Sequence, residues 1–293
     1  MTVEPASDGR LRPASDAGTG DAPQPDWNQP VGWIQPARAL AAPISRSATR
    51  SVEVRTTTRH GGNSRAPWHG FNLGDHVGDD PAHVAANRAL LRQMLDGREV
   101  QWLKQVHGRD CVRVRAGATH EVPVADAAWT DAPDVALAVL TADCVPVVLA
   151  APDAGVVAVA HAGWRGLVGG VLEALLAAAP VPAHQWVAWL GPAIGPALYQ
   201  VDAPVVRAIL ACADGAALVD RAVRADDVAD RWRLDLFALA EALLVRGGVG
   251  DVRCERLCTA SDPRWFSHRA AVIRDGPDAR TGRFATLVWQ TCD

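Results

Sequence analysis

Lysine is nearly absent from this 293-residue sequence: Lys104 is the only one among the 29 basic residues. A Schiff-base mechanism would have to rest on that single residue. No G-x-x-x-x-G-K-[ST] string occurs, and no G-x-G-x-x-G opens a βαβ unit, so nucleotide-phosphate and dinucleotide chemistry of the common loop types have no support. No run of about 18 apolar residues is present. The greasiest stretch, Val135 to Ala162, is broken by Asp143, Pro146, Pro152 and Asp153, which excludes a membrane-spanning helix there. The N-terminus lacks a basic region followed by an apolar one, so no secretion signal is visible and the expectation is a cytoplasmic protein. Six cysteines, scattered through a chain of this length, are not a disulfide framework. There is no internal repeat at a fixed period.

What is present is an ordinary globular balance: 49% hydrophobic, 21% charged, net charge -4. A slightly acidic chain has no broad field to hold a polyanion, which argues against nucleic acid or an anionic membrane as partner and favours small molecules. Residues 1–45 are rich in Pro, Asp, Ser, Ala and Gly without periodicity and read as a disordered tail. Residues 46–293 then form one domain. Strands are expected at Ser51–Thr58, Val100–Gln105, Cys111–Arg115, Val135–Leu140, Val145–Ala150, Val156–His161, Trp186–Leu190, Asp251–Leu257, Ser267–Val272 and Phe284–Trp289. Helices are expected from the Asp80 cap with Pro81 at its first position through Leu95, then at Gly166–Ala179, Pro204–Cys212 and Leu234–Arg246. Strands come partly in runs and partly alternating with helices, so the fold class is α+β with a mixed sheet.

Three segments place a good transition-metal ligand beside small residues at the end of an expected strand: Trp102 to Gly108 with His107, Thr141 to Pro146 with Cys144, and His161 to Gly166. A hairpin centred on Pro152-Asp153 sets Cys144 opposite His161 on one face, with Cβ atoms about 5 Å apart. With His107 added, the set is three protein ligands and one open position, the pattern of a catalytic zinc. Spacing alone leaves the ordinary alternatives open: packed or solvent-facing histidines and an inert core thiol. Cys254 and Cys258 would share one face of a strand as half a metal site. With no second pair of ligands nearby, they read as buried structural thiols.

The strings Asn72 to Asp80 (N-L-G-D-H-V-G-D-D), Trp102 to Gly108 (W-L-K-Q-V-H-G), Thr141 to Pro146 (T-A-D-C-V-P), His161 to Gly166 (H-A-G-W-R-G), Gly191 to Tyr199 (G-P-A-I-G-P-A-L-Y), Cys258-Thr259 and Thr281-Gly-Arg283 resemble the YfiH-type laccase-domain family over roughly residues 50 to 291. Members of that family were once labelled multicopper polyphenol oxidases and are now described as zinc-dependent purine nucleoside phosphorylases. The resemblance implies a single mixed α/β sandwich with an active-site zinc on His107, Cys144 and His161. It also implies phosphorolysis of adenosine, inosine and 5'-methylthioadenosine, with adenosine deaminase activity at the same site. Two departures stand out. Ala197-Leu198 replaces a Cys-Cys often found before the tyrosine, and the loop around Ala270 to Arg280 is longer than usual.

On this reading Arg165, always charged and shaped for bidentate oxyanion contact, is the candidate phosphate clamp, against a plain salt bridge. His76, in a glycine-flanked loop, is the candidate acid or base toward the leaving purine, against a loop-packing role. Trp164 can stack on a base or simply pack. Cys144 is a metal-bound thiolate or, in a competing reading, a nucleophile activated by His161 for amide hydrolysis, as in family members implicated in editing peptidoglycan precursors. A four-copper oxidase needs about ten histidine ligands, largely in H-x-H pairs, and a blue-copper cysteine. Nine histidines and no H-x-H string rule that centre out. Cu(2+) in the single Cys/His/His site remains the route to an oxidase, and a metal-bound scaffold without catalysis is the third reading.

Overall fold

Val135–Thr141, Val145–Ala151 and Val156–Ala162 are buried at every position. Runs apolar at all but Thr141 and His161 suit strands covered on both faces, and they form the centre of the fold. The computed structural model describes residues 33–34, 50–117 and 122–292. In chain order the strands and helices are β1 (Trp33–Ile34), β2 (Arg50–Thr57), α1 (Pro81–Met94), β3 (Glu99–Gln101), β4 (Cys111–Arg113), β5 (Ala127–Thr130), β6 (Val135–Thr141), β7 (Val145–Ala151) and β8 (Val156–Ala162). Then come α2 (Trp164–Gly169), α3 (Val171–Ala178), β9 (Val187–Leu190), β10 (Gln200–Asp202), α4 (Ala203–Leu210), α5 (Gly215–Ala222), β11 (Val223–Ala225), β12 (Arg231–Leu234), α6 (Leu236–Arg246), β13 (Asp251–Cys254), α7 (His268–Asp275) and β14 (Phe284–Cys292).

Two mixed sheets stack face to face. One has the order β1-β2-β14-β6-β3 and the other β13-β9-β7-β8-β5-β4, with a small third sheet, β10-β12-β11, beside them. Val52, Val54, Leu137, Val139 and Val288 of the first meet Val148, Ala150, Val157, Val159 and Trp189 of the second. The outer face of the six-stranded sheet packs Val147, Leu149, Ala158 and Ala160 against Leu167, Leu172, Leu175, Leu239 and Leu243 of the helices. The outer face of the five-stranded sheet packs Ala136, Ala138, Leu140 and Leu287 against Leu91, Leu95, Phe71 and Leu73. The result is the expected mixed α/β sandwich, four layers deep. No helix among the described residues is long and apolar enough to cross a membrane.

Several local expectations need correction. Ser267–Val272 is not a strand: Ser267 accepts a hydrogen bond from the Ala270 amide and caps α7. The helix expected over Gly166–Ala179 is two helices, because Gly170 takes a left-handed conformation (φ 88°) between α2 and α3. Arg256, also left-handed (φ 53°), turns the chain after β13, so Cys254 and Cys258 do not share a strand. The β7–β8 turn is Pro152–Gly155, and Val145 therefore pairs with Ala162, and Pro146 with His161. Cys144 thus stands across from Gly163, two positions from the expected register. A shift of two keeps both ligands on one face. Within the expected tail, Trp33–Ile34 pairs with Thr56–Thr57, and the rest of residues 1–45 lies outside the described residues.

The helix α1 fixes the loop that approaches the end of the sandwich. Asp80 caps it, accepting from the Ala82 amide at 2.8 Å, with Pro81 next. The buried Asn87 Nδ2 donates to Ser64 Oγ (3.0 Å), Gly70 O (3.3 Å) and Asn72 O (2.8 Å), and its Oδ1 accepts from the Asn63 amide (2.7 Å). Removing that amide strands several buried polar groups. Asn87→Ala is expected to cost about 2–4 kcal/mol and lower Tm by roughly 5–10 °C in thermal unfolding; a shift below about 2 °C would contradict this role.

Candidate metal centre

The link Ala142–Cys144 crosses from β6 in one sheet to β7 in the other, so it sits at the open end of the sandwich. Asp143 takes a left-handed φ of 101° to make that crossing. Such a conformation is held only by surrounding bonds. Its carboxylate accepts from Thr259 Oγ1 (2.7 Å) and from the Arg269 amide (2.7 Å), and its carbonyl accepts from the Ile194 amide (2.9 Å). Cys144 follows on the face between the sheets. Gly163 lies opposite, and a Cβ there would come 2.8 Å from Cys144 Sγ and 3.0 Å from His107 Cδ2. Glycine is required at that position to leave room for the sulfur.

His107 also has a left-handed backbone (φ 58°). Asp126 holds it: the amides of Val106 (3.1 Å), His107 (3.0 Å) and Gly108 (2.7 Å) all donate to its carboxylate. The same carboxylate accepts from His161 Nδ1 at 2.8 Å. That hydrogen bond fixes the imidazole tautomer and leaves Nε2 facing Cys144 and His107. Asp126 is wholly buried, and sequence reasoning missed it. The available signal was a lone acid between Ala125 and Ala127-Ala128.

The structure brings the three expected ligands together. Their donor atoms lie within 4.8 Å of one another, the only such group among the described residues. Cys144 Sγ and His107 Nε2 are 3.7 Å apart, close to the roughly 3.6 Å edge of a tetrahedron with Zn–S and Zn–N bonds of ordinary length. The His107 and His161 rings meet edge to face, centroids 4.6 Å apart. A thiolate with two imidazoles suits zinc or copper, and the carboxylate that a metal-ligating histidine needs on its other nitrogen is already supplied to His161 by Asp126.

Electrostatics agree with the geometry. Burial alone would raise the Cys144 thiol's pKa, but His161 and His107 outweigh it and bring it down to about 6. Burial likewise works against the His161 cation, yet Cys144 and Asp126 lift that imidazole's pKa to about 9. Without a metal the pair is therefore thiolate and imidazolium. Elsewhere burial pushes the thiol of Cys111 up to about 12 and that of Cys254 to about 11, which makes both inert at neutral pH.

Above the three ligands is a cavity of about 460 Å³. His76, Trp164 and Arg165 all line it. Arg165 is exposed, stacks on the Trp164 ring at 4.5 Å and has no carboxylate partner among the described residues, so the plain salt-bridge reading does not hold. His76 stands 3.5 Å from Asp75; burial and the Arg283 charge lower its pKa despite that carboxylate. Tyr199, His268, Arg269 and Arg283 also line the cavity and had no role assigned from sequence. For His268 and Arg269 the reason is α7, which was read as a strand.

A family model described as multi-copper polyphenol oxidoreductase laccase matches residues 53–291. The chain belongs to this family. A Xylella fastidiosa (strain Temecula1 / ATCC 700964) protein named purine nucleoside phosphorylase is 41% identical over 280 residues, covering 92% of this chain and 98% of its own. An Escherichia coli (strain K12) protein, purine nucleoside phosphorylase YfiH, is 36% identical over 82% of this chain and 94% of its own. Among solved structures, a Neisseria meningitidis protein assigned to family DUF152 superposes with a TM-score of 0.75 at 38% identity, covering 86% of this chain and 98% of its own.

One measurement reads the site directly in metal-stripped protein. Thiolate ultraviolet absorbance attributable to Cys144, and absent from Cys144→Ser, should persist as pH falls from 8 and disappear only below about 6. Appearance of that signal only above the ordinary thiol range, about 8.5, would contradict the thiolate–imidazolium pair.

Proposed function

We propose that this family member is a zinc-dependent purine nucleoside phosphorylase acting on adenosine, inosine and 5'-methylthioadenosine, with adenosine deaminase activity at the same site. The observation that carries this reading is the three-ligand centre at the floor of a cavity whose walls carry Arg165, Arg269 and Arg283. The relatives' names point the same way.

His107, Cys144 and His161 would hold zinc, which would supply a Lewis acid at the cavity floor. Cys144 is then a ligand, its sulfur committed and unavailable as a nucleophile. His161 is held in its ligating tautomer by Asp126. Arg165, at the cavity mouth and stiffened by Trp164, approaches an oxyanion entering from solvent. His76, its basicity lowered by burial and the Arg283 charge, is the acid or base toward the leaving purine. The small-molecule partners are a nucleoside and phosphate. Among the described residues the ligands form one metal position, so a polyphenol oxidase activity would require Cu(2+) in this same site.

A second reading has one specific observation in its favour. Cys144, His161 and Asp126 form a line in which a buried carboxylate orients the imidazole and the imidazole faces a depressed thiol, the arrangement of a cysteine hydrolase. Metal content separates the two readings. Rapid alkylation of Cys144 in metal-replete protein would favour the hydrolase.

Adenosine incubated with metal-characterised protein, with and without phosphate, tests the main reading by chromatography. Adenine formed only with phosphate is the expected outcome, with inosine formed independently of phosphate. His107→Ala should lower adenine formation by roughly 100-fold or more. Neither adenine nor inosine from zinc-loaded protein would overturn the proposal.

A further inference from the structure

The cavity carries more positive charge than a neutral nucleoside needs. Arg165, Arg269 and Arg283 line it, and the acids on its wall are Asp143 and the Cys144 thiolate. Both are committed. Asp143 accepts from Thr259 and from the Arg269 amide, and a bound metal would take the thiolate. Asp75, beside His76, faces the Arg88 guanidinium at 3.2 Å. Arg269 has its own work: it donates to Leu198 O (3.2 Å) and Gln200 O (3.0 Å) and lies over the Tyr199 ring.

Arg283 is different. No carboxylate ion-pairs with it among the described residues, and its guanidinium is desolvated enough to lower its pKa, burial being the main cause. A half-buried guanidinium whose acidic neighbours, Asp143 and the Cys144 thiolate, are committed elsewhere is costly unless a ligand completes it. Its backbone, stem and Nη1 are nonetheless each held in place. The Arg283 amide donates to Asn72 Oδ1 (2.8 Å), and its carbonyl accepts from the Leu73 amide (3.0 Å). Gly74 makes room for the stem, since a Cβ there would fall 2.8 Å from Arg283 Cγ. Gly282 packs so closely on Phe266 that a Cβ would meet the ring at 2.6 Å. Nη1 donates to the carbonyls of Thr281 (3.1 Å) and Gly282 (3.0 Å), which fixes the plane of the head group. Two sequence motifs, Asn72-Leu-Gly74 and Thr281-Gly-Arg283, thus meet to hold one cation at the cavity wall.

We propose that Arg283 holds the anionic co-substrate, inorganic phosphate, inside the cavity, with Arg165 approaching the same anion from the mouth. The inference rests on the phosphorylase reading for the purpose of the anion, while the binding site itself stands on the geometry of Arg283. A planar guanidinium fixed by backbone carbonyls suits the paired oxygens of phosphate. The uncharged nucleoside leaves that charge for its partner.

The test uses full-length, metal-loaded protein: wild type, Arg283→Met and Arg283→Lys, each checked for Tm and metal content. Phosphate binding is measured by isothermal titration calorimetry without nucleoside, and KM for phosphate and for adenosine by turnover. Arg283→Met should weaken phosphate binding and raise its KM by roughly 10- to 100-fold with the adenosine KM within about twofold, and Arg283→Lys should lie between. A folded, metal-loaded Arg283→Met with phosphate affinity within about twofold of wild type overturns the inference even if the enzyme phosphorolyses nucleosides. Phosphate binding that depends on Arg283, with no nucleoside turnover in wild type, supports the site and removes the phosphorylase reading instead. If Arg283→Met does not fold, Arg283→Lys decides: unchanged phosphate affinity there, with metal retained, counts against the inference.

Discussion

The Asp126 carboxylate is the interaction on which the candidate centre depends. It accepts three consecutive backbone amides from Val106 to Gly108 and the Nδ1 proton of His161. A buried carboxylate with four donors is held ionised; burial pushes its pKa up, but His161 and the amides together bring it below the ordinary value. One side chain therefore sets the position of one ligand through its backbone and the orientation of another through its ring. His107 keeps a left-handed backbone because those amides are tied together, and His161 keeps its Nε2 free because its other nitrogen is occupied.

The sandwich supplies the third ligand. Two sheets stacked face to face need a crossing where β6 hands the chain to β7, and three residues suffice because Asp143 adopts a left-handed turn secured by Thr259 and Arg269. Cys144 lands where the sheets open, next to the end of β8. Glycine at 163 then allows the sulfur its space. The same crossing also anchors α7, so the residues that place the thiol place Arg269 at the cavity wall. Opposite them, the loop fixed by Asn87 brings Asn72 and Gly74 to Arg283. The cavity is thus assembled from segments far apart in sequence, each pinned by buried polar bonds.

The central strands were legible because Val135–Thr141, Val145–Ala151 and Val156–Ala162 are apolar at all but Thr141 and His161, and the three ligands because each was expected at the end of a strand beside glycine or a small residue. The β7–β8 register was misjudged by two positions, since Pro152–Gly155 all belong to the turn; the ligand pair survived because a shift of two preserves the face. The helix α7 was misread because only Ala271 on it is buried, too little to mark a period. Asp126 left no trace in spacing, as its partners are backbone amides about twenty residues earlier and a ring 35 residues later. Arg283 stood in a visible motif, but its half-buried head group at the cavity wall, with no carboxylate ion-paired to it among the described residues, exists only in three dimensions.

If one buried carboxylate organises the centre, metal affinity must depend on its charge. Competition of a chelator against zinc-loaded wild type and Asp126→Asn, with folding verified by thermal unfolding, measures this directly. The account predicts a loss of zinc affinity of roughly 10- to 100-fold in the variant. A folded Asp126→Asn that holds zinc as tightly as wild type would contradict it.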